Sequence, residues 1–187
     1  MEYLTMPELT ILVILSEGGK LSGYDINKII TERGFREWAG IGSTSIYSGL
    51  KKLEKKNLIM LTSSNEKTGK GPVANKYFLT ANGMETLLSE VKTTLSSDAY
   101  NDSKFDLALS CAVILSKAEF ESALLERKEK LMKNMNRVRS EKFEKQGGVK
   151  LPPHVVLLFE RTFMLFNTEI DFINKVLKDS KRKRSMK

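Results

Sequence analysis

The spacing of apolar and polar positions changes several times along the chain, and each change marks an element. "PELTILVILSE" is apolar around most of its circumference, the pattern of a short buried helix, and Gly18 and Gly19 end it. "LSGYDINKIITERG" predicts a second helix, with Ser22 and Asp25 in the spacing of a capping box, Ile26, Ile29 and Ile30 on one face, and Gly34 as the stop. In "GIGSTSIYSGLKKLEKKNLI", Ile46, Leu50 and Leu53 recur at intervals of four and three. A third helix therefore buries that stripe and turns Ser45, Ser48, Lys51, Lys52 and Lys55 outward, with Ser43 or Thr44 as its cap. The period then shortens: "LIMLTS" is a brief apolar run and "NKYFLT" alternates, a strand pattern. "NEKTGKGPVA" between them has the glycines, proline and lysines of a hairpin tip.

From Thr80 a helical stripe of Met84, Leu87, Leu88, Val91 and Leu95 begins, and it stops at the polar stretch "SSDAYNDS", which reads as a domain boundary. Phe120, Leu124, Leu131, Met135 and Val138 then recur at seam-like intervals, and "GGVKLPPH" supplies a turn. The clearest pattern comes last. Phe159, Phe163, Phe166, Ile170, Ile173 and Leu177 are spaced four, three, four, three, four, an a/d seam, and Leu158, Leu165, Phe172 and Val176 widen it beyond what one partner helix can cover. Part of this stripe suits a hairpin within one subunit. Because two or three helices make a thin core, the seam is expected to complete itself against a second copy. The expected organisation is 1–95, 96–180 as a helical dimerisation domain, and 181–187 as a basic disordered tail.

Composition narrows the chemistry. One cysteine, Cys111, and one histidine, His154, in 187 residues cannot build a structural zinc site, and Cys111 in "LALSCAVIL" reads as a small apolar residue. No phosphate-binding glycine loop or nucleophile elbow occurs, so no cofactor and no enzymatic activity are expected. Without a long apolar run, no membrane partner is expected either, and the anticipated address is cytoplasmic. The net charge of +8 is concentrated in two places. Residues 43–76 hold seven lysines against Glu54 and Glu66, and "KDSKRKRSMK" holds six bases against Asp179. Two basic patches on an otherwise balanced chain point to a polyanion. A helix fits the major groove of B-DNA, short hydroxyls at its start allow close approach, and a basic hairpin can touch flanking phosphate.

Three segments carry a resemblance. "LSEGGKLSGYDINKII", "GIGSTSIYSGLKKLEKKNLI" and "ANKYFLTANGMETL" resemble the signature stretches of PadR-type transcriptional regulators across about residues 5 to 95. Ser48 stands where that family usually has proline, and "GKGPVANKY" is longer and less arginine-rich than the usual wing. The resemblance implies a mainly α fold with a small β-hairpin wing: a winged helix-turn-helix domain followed by a C-terminal helical dimerisation domain. It also implies that Tyr47 and its neighbours on the third helix meet DNA, that Tyr24 lies near the DNA backbone, and that wing lysines reach the adjacent groove.

The residues expected at DNA are Tyr24, Ser43, Thr44, Ser45, Tyr47, Ser48, Lys51, Lys52, Lys67, Lys70 and Lys76. Tyr24 and Tyr47 also fit as packing residues with wet hydroxyls. Trp38 reads first as a core plug between the second and third helices and is also the candidate ligand contact, and Arg36 either touches phosphate or lies along the surface. The expectation is a dimeric repressor with a double-stranded DNA operator, itself, and a small aromatic effector as partners. The alternatives are a ligand-independent architectural winged-helix protein, or a helical interaction module whose basic tail binds nucleic acid or membrane.

Overall fold

A computed structural model describes residues 4–62, 75–100 and 102–185. The chain forms two compact units, one of residues up to Val91 together with Ser103–Ile114, the other of Lys92–Asp102 and the residues from Leu115 on.

In the first unit, α1 (Met6–Gly18) is buried at every position from Glu8 to Leu15, which explains its unbroken apolar run. Its entry is secured by Glu8, whose carboxylate accepts from the Thr5 backbone N–H at 2.8 Å and from the Thr5 hydroxyl at 2.7 Å. After a short strand β1 (Leu21–Ser22), α2 (Gly23–Glu32) starts from the expected capping box: the Ser22 hydroxyl accepts from Asp25 N–H at 3.1 Å, and the Ser22 N–H donates back to the Asp25 carboxylate at 2.9 Å. A five-residue helix α3 (Phe35–Ala39), which the hydrophobic pattern does not announce, sits between α2 and α4 (Ser43–Lys55). α4 packs on both α1 and α2.

Strands β2 (Ile59–Thr62) and β3 (Lys76–Leu79) pair antiparallel, with Ile59 opposite Leu79 and Thr62 opposite Lys76. β1 adds to the free side of β3, with Leu21 opposite Tyr77, so the expected hairpin is the larger part of a three-stranded sheet in the order β1-β3-β2. α5 (Ala81–Leu95) is seated on the start of β2 at Gly83, where a Cβ would lie 2.0 Å from the Leu58 carbonyl oxygen; no other residue type fits without moving the backbone.

α6 (Ser103–Ser110) buries Phe105, Leu107 and Ala108 in the first unit and packs on α3. The polar stretch at 96–103 predicts a boundary before this segment, whereas its buried side chains join the first unit. Cys111, just beyond it, is fully buried, and desolvation pushes its thiol up to about 11, the state of an inert apolar side chain at neutral pH.

The second unit rests on α7 (Lys117–Arg137) and α8 (Pro153–Ser185), which pack against each other. α7 opens with a capping box of Ser116 and Glu119, and a π-helical turn over Val138–Phe143 follows its end. That turn lays Phe143 on Phe159, with ring centroids 5.1 Å apart. Arg127 of α7 is fully buried and donates to the Ser97 carbonyl at 2.6 Å, the Ala99 carbonyl at 2.7 Å and the Glu169 carboxylate at 2.9 Å. One guanidinium thereby ties the stretch after α5 to both long helices.

Half of the heptad seam is buried within the chain. Phe166 and Ile173 are 1% and 0% exposed, Phe163 is buried, and Phe159, Ile170 and Leu177 are half-buried. Leu157, Leu158, Met164 and Phe172 instead leave 63%, 64%, 69% and 37% of their surfaces exposed on another side of α8. The same helix continues to Ser185, past the point at which the sequence reading begins a tail. Among the described residues no helix is long and apolar enough to cross a membrane.

Candidate nucleic-acid interface

α4 has one buried side and one wet one, and the burial of the first decides the second. Ile46, Leu50 and Leu53 are 0%, 1% and 0% exposed, and Gly49 lies between them against α1, where a Cβ would come within 2.8 Å of Ile11 Cδ1. The helical repeat then turns Thr44, Ser48, Lys51 and Lys55 outward as a continuous ridge, and all four are exposed. Lys52 is exposed on the flank, whereas Ser45 is half-buried and donates its hydroxyl to the Gly42 carbonyl at 2.5 Å. Ser48 likewise donates to the Ser45 carbonyl at 3.0 Å, which leaves hydroxyl lone pairs, not protons, facing water.

The cap expected at Ser43 or Thr44 falls one residue earlier. Gly42 is the N-cap, with extended backbone and no side-chain cap bond, and the first turn contains no acid. The leading amides of α4 therefore face solvent without a built-in anion, the condition that favours an external one.

Tyr24 and Tyr47 are 71% and 53% exposed, so neither is a core residue. Tyr47 does pack in part: its Cε1 lies 3.1 Å from where a Cβ on Gly23 would sit, so the missing side chain makes room for the ring. Lys76 pairs across the sheet with Ser22 and shares its charge with α2. The Asp25 carboxyl is held below its usual range chiefly by the side-chain and backbone hydrogen bonds of Ser22, with Lys76 and Lys28 adding attraction. Lys67, Lys70 and the side chains of Ser43 and Trp38 lie outside the described residues.

One cation of the basic run is turned inward. Lys56, the C-cap of α4, reaches the carboxylate of Glu8 at 3.3 Å, and Glu8 is only 2% exposed. Burial pushes the Glu8 carboxyl up, but the hydrogen bonds from Thr5 and Lys56 outweigh it and the net shift is downward. Sequence reasoning missed this pair. The Thr5–Glu8 spacing was a visible capping signal, but nothing local joins Glu8 to a lysine 48 residues away.

Residues 11–89 match the sequence profile described as the transcriptional regulator PadR-like family. Over these residues the chain is similar to the PadR-like family of transcriptional regulators. The PadR-like stretch takes in α2, α4 and the β2–β3 pair, and so includes every candidate DNA residue of the sequence reading. Solved structures that match the chain include Bacillus subtilis PadR in complex with operator DNA, 20% identical with a TM-score of 0.41, covering 97% of this chain and 99% of that one. A PadR-like transcriptional regulator from Bacillus cereus is 20% identical with a TM-score of 0.42, at 96% and 98% coverage. Bacillus subtilis PadR in complex with p-coumaric acid is 19% identical with a TM-score of 0.39, at 95% and 99%. A comparison with curated proteins gives no significant match.

The Glu8–Lys56 tie has a pH signature. A carboxyl whose folded pKa is depressed contributes stability that is complete above its unfolded value, about 4.3, and is lost as pH falls through the folded value. Glu8→Gln is expected to cost about 1–3 kcal/mol at neutral pH. It should also flatten the fall in stability of the wild type below pH ~4.3. Urea unfolding of both proteins from pH 7 to 3 checks this; parallel curves would show that the pair contributes nothing.

Proposed function

We propose that the chain is a sequence-specific DNA-binding transcriptional regulator, a dimeric repressor whose operator affinity falls when a small aromatic effector binds. The observation that carries this reading is the outward ridge of α4. It presents hydroxyls at an uncapped helix start and cations behind them, with Glu54 as its one acid, while the opposite side is locked into the core. In this reading α4 enters the major groove, Thr44, Ser45, Tyr47 and Ser48 lie nearest the bases, and Lys51 and Lys52 anchor phosphate. Ser43 joins the first group, Tyr24 lies by the DNA backbone, and Lys67, Lys70 and Lys76 serve the wing. Trp38 is the proposed ligand contact.

Repression by a winged helix-turn-helix protein usually engages two half-sites about 34 Å apart, which calls for a two-fold dimer. Phe163, Phe166 and Ile173 of the seam first expected to supply it are already buried within the chain. The dimer surface proposed here is instead the exposed side of α8 that holds Leu157, Met164 and Phe172, residues that share one helical face. A second copy brings the same residues, so the patch can cover itself.

Fragments of the source genome selected on the pure protein would yield the operator. With operator and random DNA in hand, Ser48→Ala should change base preference. Lys51→Ala should weaken both DNAs alike and lower the salt slope by about 0.9. Equal losses on every sequence from both variants would sink the division. In the same titration, a compound that quenches Trp38, the single tryptophan, should lose affinity for the protein by the factor by which it weakens operator binding.

Sedimentation addresses the dimer. Met164→Asp with Phe172→Asp should give folded monomers. A dimer undiminished in both variants would place the interface elsewhere.

A further inference from the structure

Arg36 stands seven residues before α4 in a basic DNA-binding unit, where a phosphate contact would be the ordinary assignment. Three of its five N–H donors are committed elsewhere. Nη2 donates to the Asn27 side-chain oxygen at 2.5 Å, Nε to the Thr31 hydroxyl at 3.1 Å and Nη1 to the Ile41 carbonyl at 3.2 Å. Asn27 and Thr31 are successive turns of α2, themselves joined by a hydrogen bond from the Thr31 hydroxyl to the Asn27 carbonyl at 3.1 Å. Ile41 is buried at 2% exposure and immediately precedes Gly42, the N-cap of α4. One side chain thus bridges the middle of α2 to the entry of α4.

The connection it spans needs such a bridge. Gly34 and Gly40, on either side of α3, have φ values of 69° and 63°, the left-handed region, so the chain reverses sharply at both ends of a five-residue helix. Glycine hinges set no angle by themselves. The three donors of Arg36 lie in one plane and meet their acceptors in fixed directions, which removes the freedom that the glycines leave. At its far end α4 is held by the Lys56–Glu8 pair, so the helix is pinned at both termini.

We propose that Arg36 is a positioning residue for DNA recognition. It fixes the start of α4, and with it the hydroxyl residues there, and does not neutralise a phosphate. The inference rests on the DNA-binding reading above and adds to it a division between cations that face DNA and cations that aim the helix.

Lysine separates the two roles. A phosphate contact asks for a positive charge, which Arg36→Lys keeps; the clamp asks for a planar fork, which lysine lacks. Full-length wild type, Arg36→Lys, Arg36→Ala and Asn27→Ala would be titrated on operator and random DNA across salt, with thermal midpoints recorded. Positioning predicts that both Arg36 variants lose about tenfold or more on operator, the scale of one spoiled base contact. It also predicts little change on random DNA and an unaltered salt slope. Asn27→Ala, which removes an acceptor and no charge, should shift operator binding in the same direction while the protein remains folded at the assay temperature. Arg36→Lys with wild-type operator affinity, or Arg36→Ala with a salt slope lower by about 0.9, would overturn the proposal and assign Arg36 to phosphate. Failure of the wild type to distinguish operator from random DNA would overturn the functional reading itself, a separate outcome.

Discussion

The contact of α4 with α1 is the constraint from which the rest of the first unit follows. α1 is buried all around, and Ile46, Gly49, Leu50 and Leu53 give α4 a flat apolar side that closes on it and its neighbours. Each fully buried Ile or Leu is worth about 1.5–3 kcal/mol, so rotating α4 by even one position would bury a lysine and expose a leucine. The outward face is then not free to be anything else. Thr44, Ser48, Lys51 and Lys55 are presented because four other residues cannot be.

The same packing explains why two cations near the ridge do not join it. Lys56 lies at the α1 end of the helix beside a carboxylate that burial would otherwise make costly, and Arg36 lies where α2 and the entry of α4 offer three acceptors. Both are drawn in by unsatisfied oxygen, and both tighten the placement of the helix whose exposed lysines remain. Arg127 performs a comparable task in the second unit, where carbonyls of the stretch after α5 and the Glu169 carboxylate surround it.

Much of this was legible before any coordinates. The Ser22–Asp25 cap, the Ile46–Leu50–Leu53 stripe and the change to an alternating period at Tyr77 are local patterns with one physical solution each. What stayed hidden depends on partners distant in sequence. Lys56 reads as one more basic residue until Glu8 is beside it. β1 is two residues long, too short to show a period, and exists because β3 offers it an edge. α6 looks like part of the helical half until Phe105 and Leu107 find the first unit's core. The seam of α8 shows the same limit: a stripe of Phe and Ile specifies burial, but its spacing does not say whether its own chain or a second one supplies the cover.

The proposed function requires α4 to be the surface that meets DNA. Amide hydrogen exchange of the full-length protein, with and without a bound operator, tests that without altering a residue. It predicts slowed exchange over residues 43–55 and over the β2–β3 hairpin on binding. Exchange unchanged in those segments, with protection confined to α7 and α8, would contradict it.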